Sequence, residues 1–133
     1  MTSDSQPCYP DIEIYLAMAS VEAIGEWLQS AIGAEPLAPA GKGKWRTRGH
    51  RNGEEVPVLL VEKAADGFAS LWFDSPHTPW ESDAACARAA VAQLGCEVRC
   101  SLGGWHPGDD PDRFLQILPD AGEAEIDWPD SGH

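Results

Sequence analysis

The sequence predicts an α+β fold made of two βαβββ-type units, with antiparallel or mixed sheets and two outer helices. Two segments show the apolar spacing of a half-buried helix, each closed by glycine. The rest breaks into short strand-like stretches separated by Asn-Gly, Asp-Gly and Pro-rich turns. A strand, a capped helix and a terminal glycine occur twice, in IEIYLAMASVEAIGEWLQSAIGA and ASLWFDSPHTPWESDAACARAAVAQLGC, which suggests duplication.

Residues 1–10 read as a loose arm, 11–129 as one domain with halves 11–66 and 67–129, and 130–133 as a tail. Asp11–Ala19 is rich in β-branched and apolar residues and reads as a strand. Ser20 is a good N-cap, Ile24, Trp27, Leu28 and Ala31 share one helix face, and Gly33 suits the left-handed C-terminal position, so Val21–Ile32 is a predicted helix. Residues 34–43 read as a loop. Lys44–Arg51 and Glu55–Ala64 form a predicted hairpin about Asn52-Gly53. Pro57, with no amide donor, belongs near the start or edge of its strand. Phe68–Asp74 follows as a strand, with Trp72 and Phe73 pointing to opposite faces.

Thr78-Pro79-Trp80-Glu81 matches a capping box with proline at the first helical position, which predicts a second helix starting there. Ala87, Ala90, Val91 and Leu94 give that helix a narrow apolar stripe up to Gly95. Cys96–Leu102, Arg113–Leu118 and Glu123–Trp128 are the remaining predicted strands. The resulting order is β-α-β-β, then β-α-β-β-β.

Composition limits the function. The chain has 133 residues and a formal net charge of −13. Such a charge argues against nucleic acid and against anionic membranes, and permits a basic protein partner. The apolar run Val58–Val61 is far too short to span a bilayer. The start, MTSDSQPCYPD, lacks the cationic and apolar parts of a secretory signal, so a cytoplasmic location is expected. Cys8, Cys86, Cys96 and Cys100 contain no Cys-x-x-Cys pair. On one strand, Cys96 and Cys100 would sit about 13 Å apart, too far to share a zinc ion. Reduced, buried thiols are the expected state.

In the second half, GCEVRCSLGG and PDRFLQILPDAGEAEIDW look like a G-x-x-V strand, a glycine-bearing loop and a closing D-P-D-G-N-x-I-E hairpin. In the first, SVEAIGEWLQSAIGAEPL is similar to a first helix with its Leu-Gly end. On these segments the chain resembles the vicinal oxygen chelate superfamily, the glyoxalase and extradiol dioxygenase group. The resemblance implies a glyoxalase-like fold, two βαβββ modules curling around a cleft. It would place metal ligands near Glu13, Glu62, Ser70 and Asp127. Histidine is absent from that set, and an all-oxygen site would suit Mg²⁺, Mn²⁺ or Ca²⁺. The carboxylates equally read as solvated strand residues, and no cofactor is expected.

Two stretches carry other chemistry. Trp105 and His106 lie in a loop with Asp109, Asp110 and Asp112, offering an imidazole, an aromatic wall and carboxylates. Lys42, Lys44, Arg46, Arg48 and His50 recur every second residue and so face one way on a strand, with Trp45 and Thr47 opposite. With Arg51, five of the nine Lys and Arg residues lie in this stretch. Bidentate arginines there could hold a carboxylate or phosphate. His77 reads as a turn residue.

The leading expectation is a small-molecule-binding domain, with Arg46, Arg48 and Arg113 as anion anchors and Trp72, Trp105 and His106 lining the pocket. The alternatives are an acidic interaction module of immunity or antitoxin type, and a divalent-metal enzyme using Glu13, Glu62 and Asp127. Exposed sheet edges also leave room for a homodimer.

Overall fold

The computed structural model describes residues 11–65, 67–101, 113–120 and 122–128. The expected arm (1–10), the loop carrying Trp105 and His106, and the tail (130–133) lie outside the described residues. In chain order the elements are β1 (Ile12–Leu16), α1 (Val21–Ile32), β2 (Ala38–Gly41), β3 (Lys44–Arg51), β4 (Glu54–Ala65), β5 (Phe68–Phe73), α2 (Asp83–Leu94), β6 (Val98–Ser101), β7 (Arg113–Ile117) and β8 (Glu123–Asp127).

The strands join in one eight-stranded sheet ordered β2-β3-β4-β5-β1-β6-β7-β8, and every neighbouring pair is antiparallel. The element order is therefore βαβββ twice, but the two runs interleave. β5 pairs with β1, and β1 pairs with β6. After α1 the chain goes to the edge strand β2 and works inward. After α2 it enters β6, beside the centre, and works outward. The duplication expected from sequence is thus limited to element order. With a single sheet, a cleft between two sheets has no counterpart among the described residues.

Both helices cover one face. Ile12, Ile14 and Leu16 of β1 point towards them, with Val56, Val58 and Leu60 of β4, Leu71 and Phe73 of β5, and Val98 and Cys100 of β6. Ile24, Trp27, Leu28 and Ile32 of α1 close the core, as do Cys86, Ala87, Ala90 and Val91 of α2. Each large aliphatic or aromatic side chain buried here contributes roughly 1.5–3 kcal/mol. The alanine-rich stripe of α2 lets that helix lie close to the sheet.

Helix α1 has the expected limits. Ser20 Oγ accepts from the Ala23 N–H, and Gly33 sits at φ 62° with its N–H donating to Gln29 O. Helix α2 starts later than the Thr78 capping box predicts. Ser82 is its N-cap, accepting from the Ala85 N–H, while the Thr78 hydroxyl donates to Trp80 O in the preceding turn. Trp80 instead stacks near Trp27 and Phe73, at ring-centroid distances of 5.4 and 5.1 Å. Burying that indole outweighs one more helical turn, whose hydrogen bonds are worth about 1 kcal/mol each.

Residues predicted as a loop supply β2, whose APAG sequence has little strand propensity. It forms because β3 offers it a free edge. On the face away from the helices, Arg99 lies 4.5 Å from the Phe68 ring centroid and 4.6 Å from that of Trp128. Its Nε donates to Glu97 Oε2 at 2.9 Å. This small aromatic cluster, with Tyr15 and Phe114, ties β1, β5 and β7 to the residue that follows β8.

Candidate functional site

Strand β3 positions side chains on both faces. Its pairing with β4 sets Trp45 opposite Leu60 and Thr47 opposite Val58, on the helix side. Arg46 and Arg48 stand opposite Leu59 and Pro57, on the open side, as the alternation predicts. Gly49 meets the end of α1 so closely that a Cβ there would lie 2.4 Å from Ile32 O. The next segment is held to β3 by the Glu35 N–H, which donates to Arg48 O at 3.1 Å, and by the Thr47 hydroxyl, which donates to Glu35 O.

This geometry leaves a groove of about 500 Å³ on the helix side. One wall is the outer face of α1, with Val21, Glu22, Gly25, Glu26 and Gln29. The other is 34–37, and Trp45 forms the floor. The Trp45 indole is fixed by its Nε1–H, which donates to Glu62 Oε2 at 2.9 Å. Glu22, Glu26 and Glu35 are exposed, and among the described residues none of their carboxylates is in an ion pair. Among the described residues no cation lines the groove.

Across the same segment, on the open side, lies a second hollow of about 350 Å³, lined by Glu35, Pro36, Ala38, Arg46, Arg48 and Glu55 among others. Arg48 Nη1 contacts Glu55 Oε2 at 2.9 Å, and this bond raises the guanidinium pKa. Arg46 has no ion-pair partner among the described residues. Arg46 and Trp72 also border a hollow of about 70 Å³ that includes Asp74. The Trp72 Nε1–H donates to Asp11 Oδ2 at 2.7 Å.

The expected anion pocket is therefore only partly assembled. Arg46, Arg48 and Trp72 share the open face. Arg113 does not join them. It lies on β7, five strands from β3 in the sheet order, about 24 Å away at ~4.8 Å per strand. It has the facing of Leu115 and Ile117, towards the helix side, and pairs with Glu125 at 3.2 Å and Asp127 at 3.3 Å. Trp105 and His106 fall outside the described residues.

Of the four expected metal ligands only Glu13 and Ser70 meet. Glu13 is on the open face, where its Oε2 accepts from Ser70 Oγ at 2.8 Å. Glu62 reaches Trp45 on the helix side, and Asp127 is on edge strand β8. Among the described residues no group of His, Cys, Asp and Glu is arranged to hold a metal ion. Sequence alternation assigned the facing of Lys44, Arg46 and Arg48 correctly, but Lys42, expected on the same strand, lies in the turn between β2 and β3. Alternation carried no information on which strands are neighbours.

No protein-family model, curated protein or solved structure matches the chain.

One titrating group lies off both cavities. Asp83, in the first turn of α2, has its carboxyl pushed up to about 7, chiefly by burial, with Asp11 and Glu13 adding repulsion. Its Oδ2 accepts weakly from the Glu13 N–H at 3.4 Å, and its Oδ1 is buried without a hydrogen-bond partner. Cys86 and Cys100, free and buried, have their thiols pushed up by burial, with Asp83 contributing. Asp83, Glu22, Glu26 and Glu35 were not among the candidates the sequence offered, and Trp45 stood there only as a residue on the face opposite Arg46 and Arg48. The signal available was Glu22 and Glu26 at i, i+4 on the polar side of α1, with Gly25 between them.

Proposed function

We propose that the chain is a binding module that takes a basic segment of a protein partner in the groove between α1 and residues 34–37. The observation carrying this reading is the groove itself, with an indole floor and the carboxylates of Glu22 and Glu26 left without ion pairs among the described residues, while Glu35 at its rim also faces Arg48. A Lys or Arg side chain over Trp45 would gain roughly 0.5–2 kcal/mol from the ring face. Exposed ion pairs add only about 0.2–1 kcal/mol each. The glutamates would thus govern approach and partner choice, helped by the net charge of −13, while Val21, Leu37 and Trp45 supply the buried area.

A small anionic ligand on Arg46 and Arg48 fits less well. Glu55 already neutralises Arg48, and Glu35 and Asp74 stand beside Arg46. The hollow at Trp72 is small, about 70 Å³. The doubled βαβββ element order supports a distant vicinal oxygen chelate relationship. The separation of Glu13, Glu62 and Asp127 weighs against metal chemistry of that kind.

Titration calorimetry with an Arg- and Lys-rich dodecapeptide tests the reading. Binding is expected to weaken steeply between about 50 and 300 mM NaCl. The Glu22→Gln/Glu26→Gln/Glu35→Gln variant should keep its melting temperature and lose roughly tenfold or more in affinity at low salt. Equal affinity for the variant, or for an acidic peptide of the same length, would overturn the proposal.

A further inference from the structure

We propose that the basic segment taken by the groove belongs to a second copy of this chain: the β2–β3 turn of each protomer, carrying Lys42 and Lys44, enters the acidic groove of its partner. The inference rests on the binding role proposed above and names the partner.

The cations of the chain are unevenly matched. Of nine Lys and Arg residues, Arg48, Arg88, Arg99 and Arg113 make ion pairs. Lys42, Lys44, Arg46, Arg51 and Lys63 make none among the described residues. Three of these gather at one corner of the sheet. Lys44 stands opposite Val61, and the Glu62 N–H donates to Gly43 O at 2.8 Å, so Lys42 and Lys63 follow at neighbouring positions. All three lysines are exposed. The acid beside them, Glu62, turns its Oε2 to the Trp45 Nε1–H on the helix side. The corner therefore presents positive charge from a chain whose net charge is −13.

The corner is also slim. Lys42 sits between Gly41 and Gly43, whose φ values of 141° and 69° favour glycine. Its tip thus carries one long side chain and no other bulk. The groove has matching features. Glu22 and Glu26 lie one helical turn apart, about 6 Å at ~1.5 Å per residue. Lys42 and Lys44, two positions apart, span up to about 6.6 Å. The Trp45 floor offers a ring face to an ammonium group.

Neither lysine pairs with Glu22 or Glu26 of its own chain. The groove wall at 34–37 runs into β2 and the turn leaves it, so groove and tip lie about 13 Å apart along one four-residue edge strand. Among the described residues no strand pairs with the outer side of β2. A two-fold axis beside this edge makes the same contact twice, tip to groove and groove to tip. At physiological salt the Debye length is about 8 Å, which screens repulsion between the two acidic bodies and spares contacts at hydrogen-bond range.

Two such small contacts belong to the weak, transient class, so the test is sedimentation velocity of the full chain at about 200 μM protein and 150 mM NaCl. A concentration-dependent dimer is expected, dissociating in about 1 M NaCl. Lys42→Gln/Lys44→Gln should weaken it roughly tenfold. Lys42→Glu/Lys44→Glu and Glu22→Lys/Glu26→Lys, all at exposed positions, should each be monomeric. Their equimolar mixture should form a heterodimer, because the reversed tip meets the reversed groove and the two natural surfaces meet each other. That recovery also shows that both variants are folded. A monomeric parent chain, a dimer that survives either reversal, or a mixture that stays monomeric overturns the proposal. The basic dodecapeptide separates this outcome from the groove reading. It is expected to compete with the dimer. If it binds a chain that stays monomeric, or binds without disturbing the dimer, the groove reading stands and its partner is another protein. If neither peptide nor second copy binds, both fall.

Discussion

Gly49→Ala is expected to lower the melting temperature by roughly ten degrees and to abolish binding of basic peptides in the groove. The added Cβ would stand 2.4 Å from Ile32 O and 2.6 Å from Ile32 Cγ1. The nearest obstacle is a backbone carbonyl at the end of α1, so the strain cannot be relieved by turning a side chain. Either α1 lifts from β3 or β3 bends. Overpacking of this kind costs about 1–3 kcal/mol, occasionally more. Since the wall at 34–37 follows Ile32 directly, the groove should open with it. Gly25→Ala is the matched control. Its Cβ would meet only Leu37 Cδ1, at an ordinary 3.6 Å, and a glycine inside a helix costs roughly 0.5–1 kcal/mol relative to alanine. That variant should melt slightly higher and keep the groove. Thermal denaturation of the two variants side by side decides the matter: equal melting temperatures would show that α1 does not bear on β3 through Gly49.

Asp83→Asn should stabilise the protein by roughly 2–4 kcal/mol at pH 8 and by little near pH 4. The folded carboxyl has its pKa raised from 3.8 to about 7, chiefly by burial. The N-terminal dipole of α2 would favour the ionised form by about 0.3–1 kcal/mol, too little to offset that burial and the repulsion from Asp11 and Glu13. The folded state therefore holds a proton that the unfolded chain releases. Stability from this group is complete below pH ~4 and is lost as pH rises to about 7. Asparagine has no proton to lose, so its advantage should grow across that interval. Urea denaturation of both forms from about pH 4 to pH 8 measures it, and the difference cancels the other titrating groups. Parallel stability curves would mean that the folded Asp83 carboxyl titrates as it does in the unfolded chain.

Local features of the fold were legible where chemistry within a few residues decides them. Ser20 and Gly33 bound α1 as expected, and Asn52 and Gly53 both take the positive φ, 54° and 84°, that a tight hairpin turn demands. The facing of Arg46 and Arg48 against Trp45 followed from strand alternation alone. Legibility stopped where two local signals competed. Thr78 and Ser82 are both sound N-caps, and the choice fell to Ser82 because Trp80 packs on Trp27 and Phe73, which are remote in sequence. For β2 the opposite holds: its own residues argue against a strand, and the free edge of β3 imposes one.

By itself, then, the sequence determined the limits of α1, the end of α2 at Gly95, the Asn52-Gly53 turn, the facing of side chains along β3, and the net acidic character. Only the tertiary structure decided which strands are neighbours. That choice sent Arg113 away from Arg46, scattered Glu13, Glu62 and Asp127, and brought α1 alongside residues 34–37 and Trp45. The physical reason is that hydrogen bonding and capping act over a few residues, whereas the pairing of β1 with β5 and β6 is selected by the joint burial of side chains far apart in the chain.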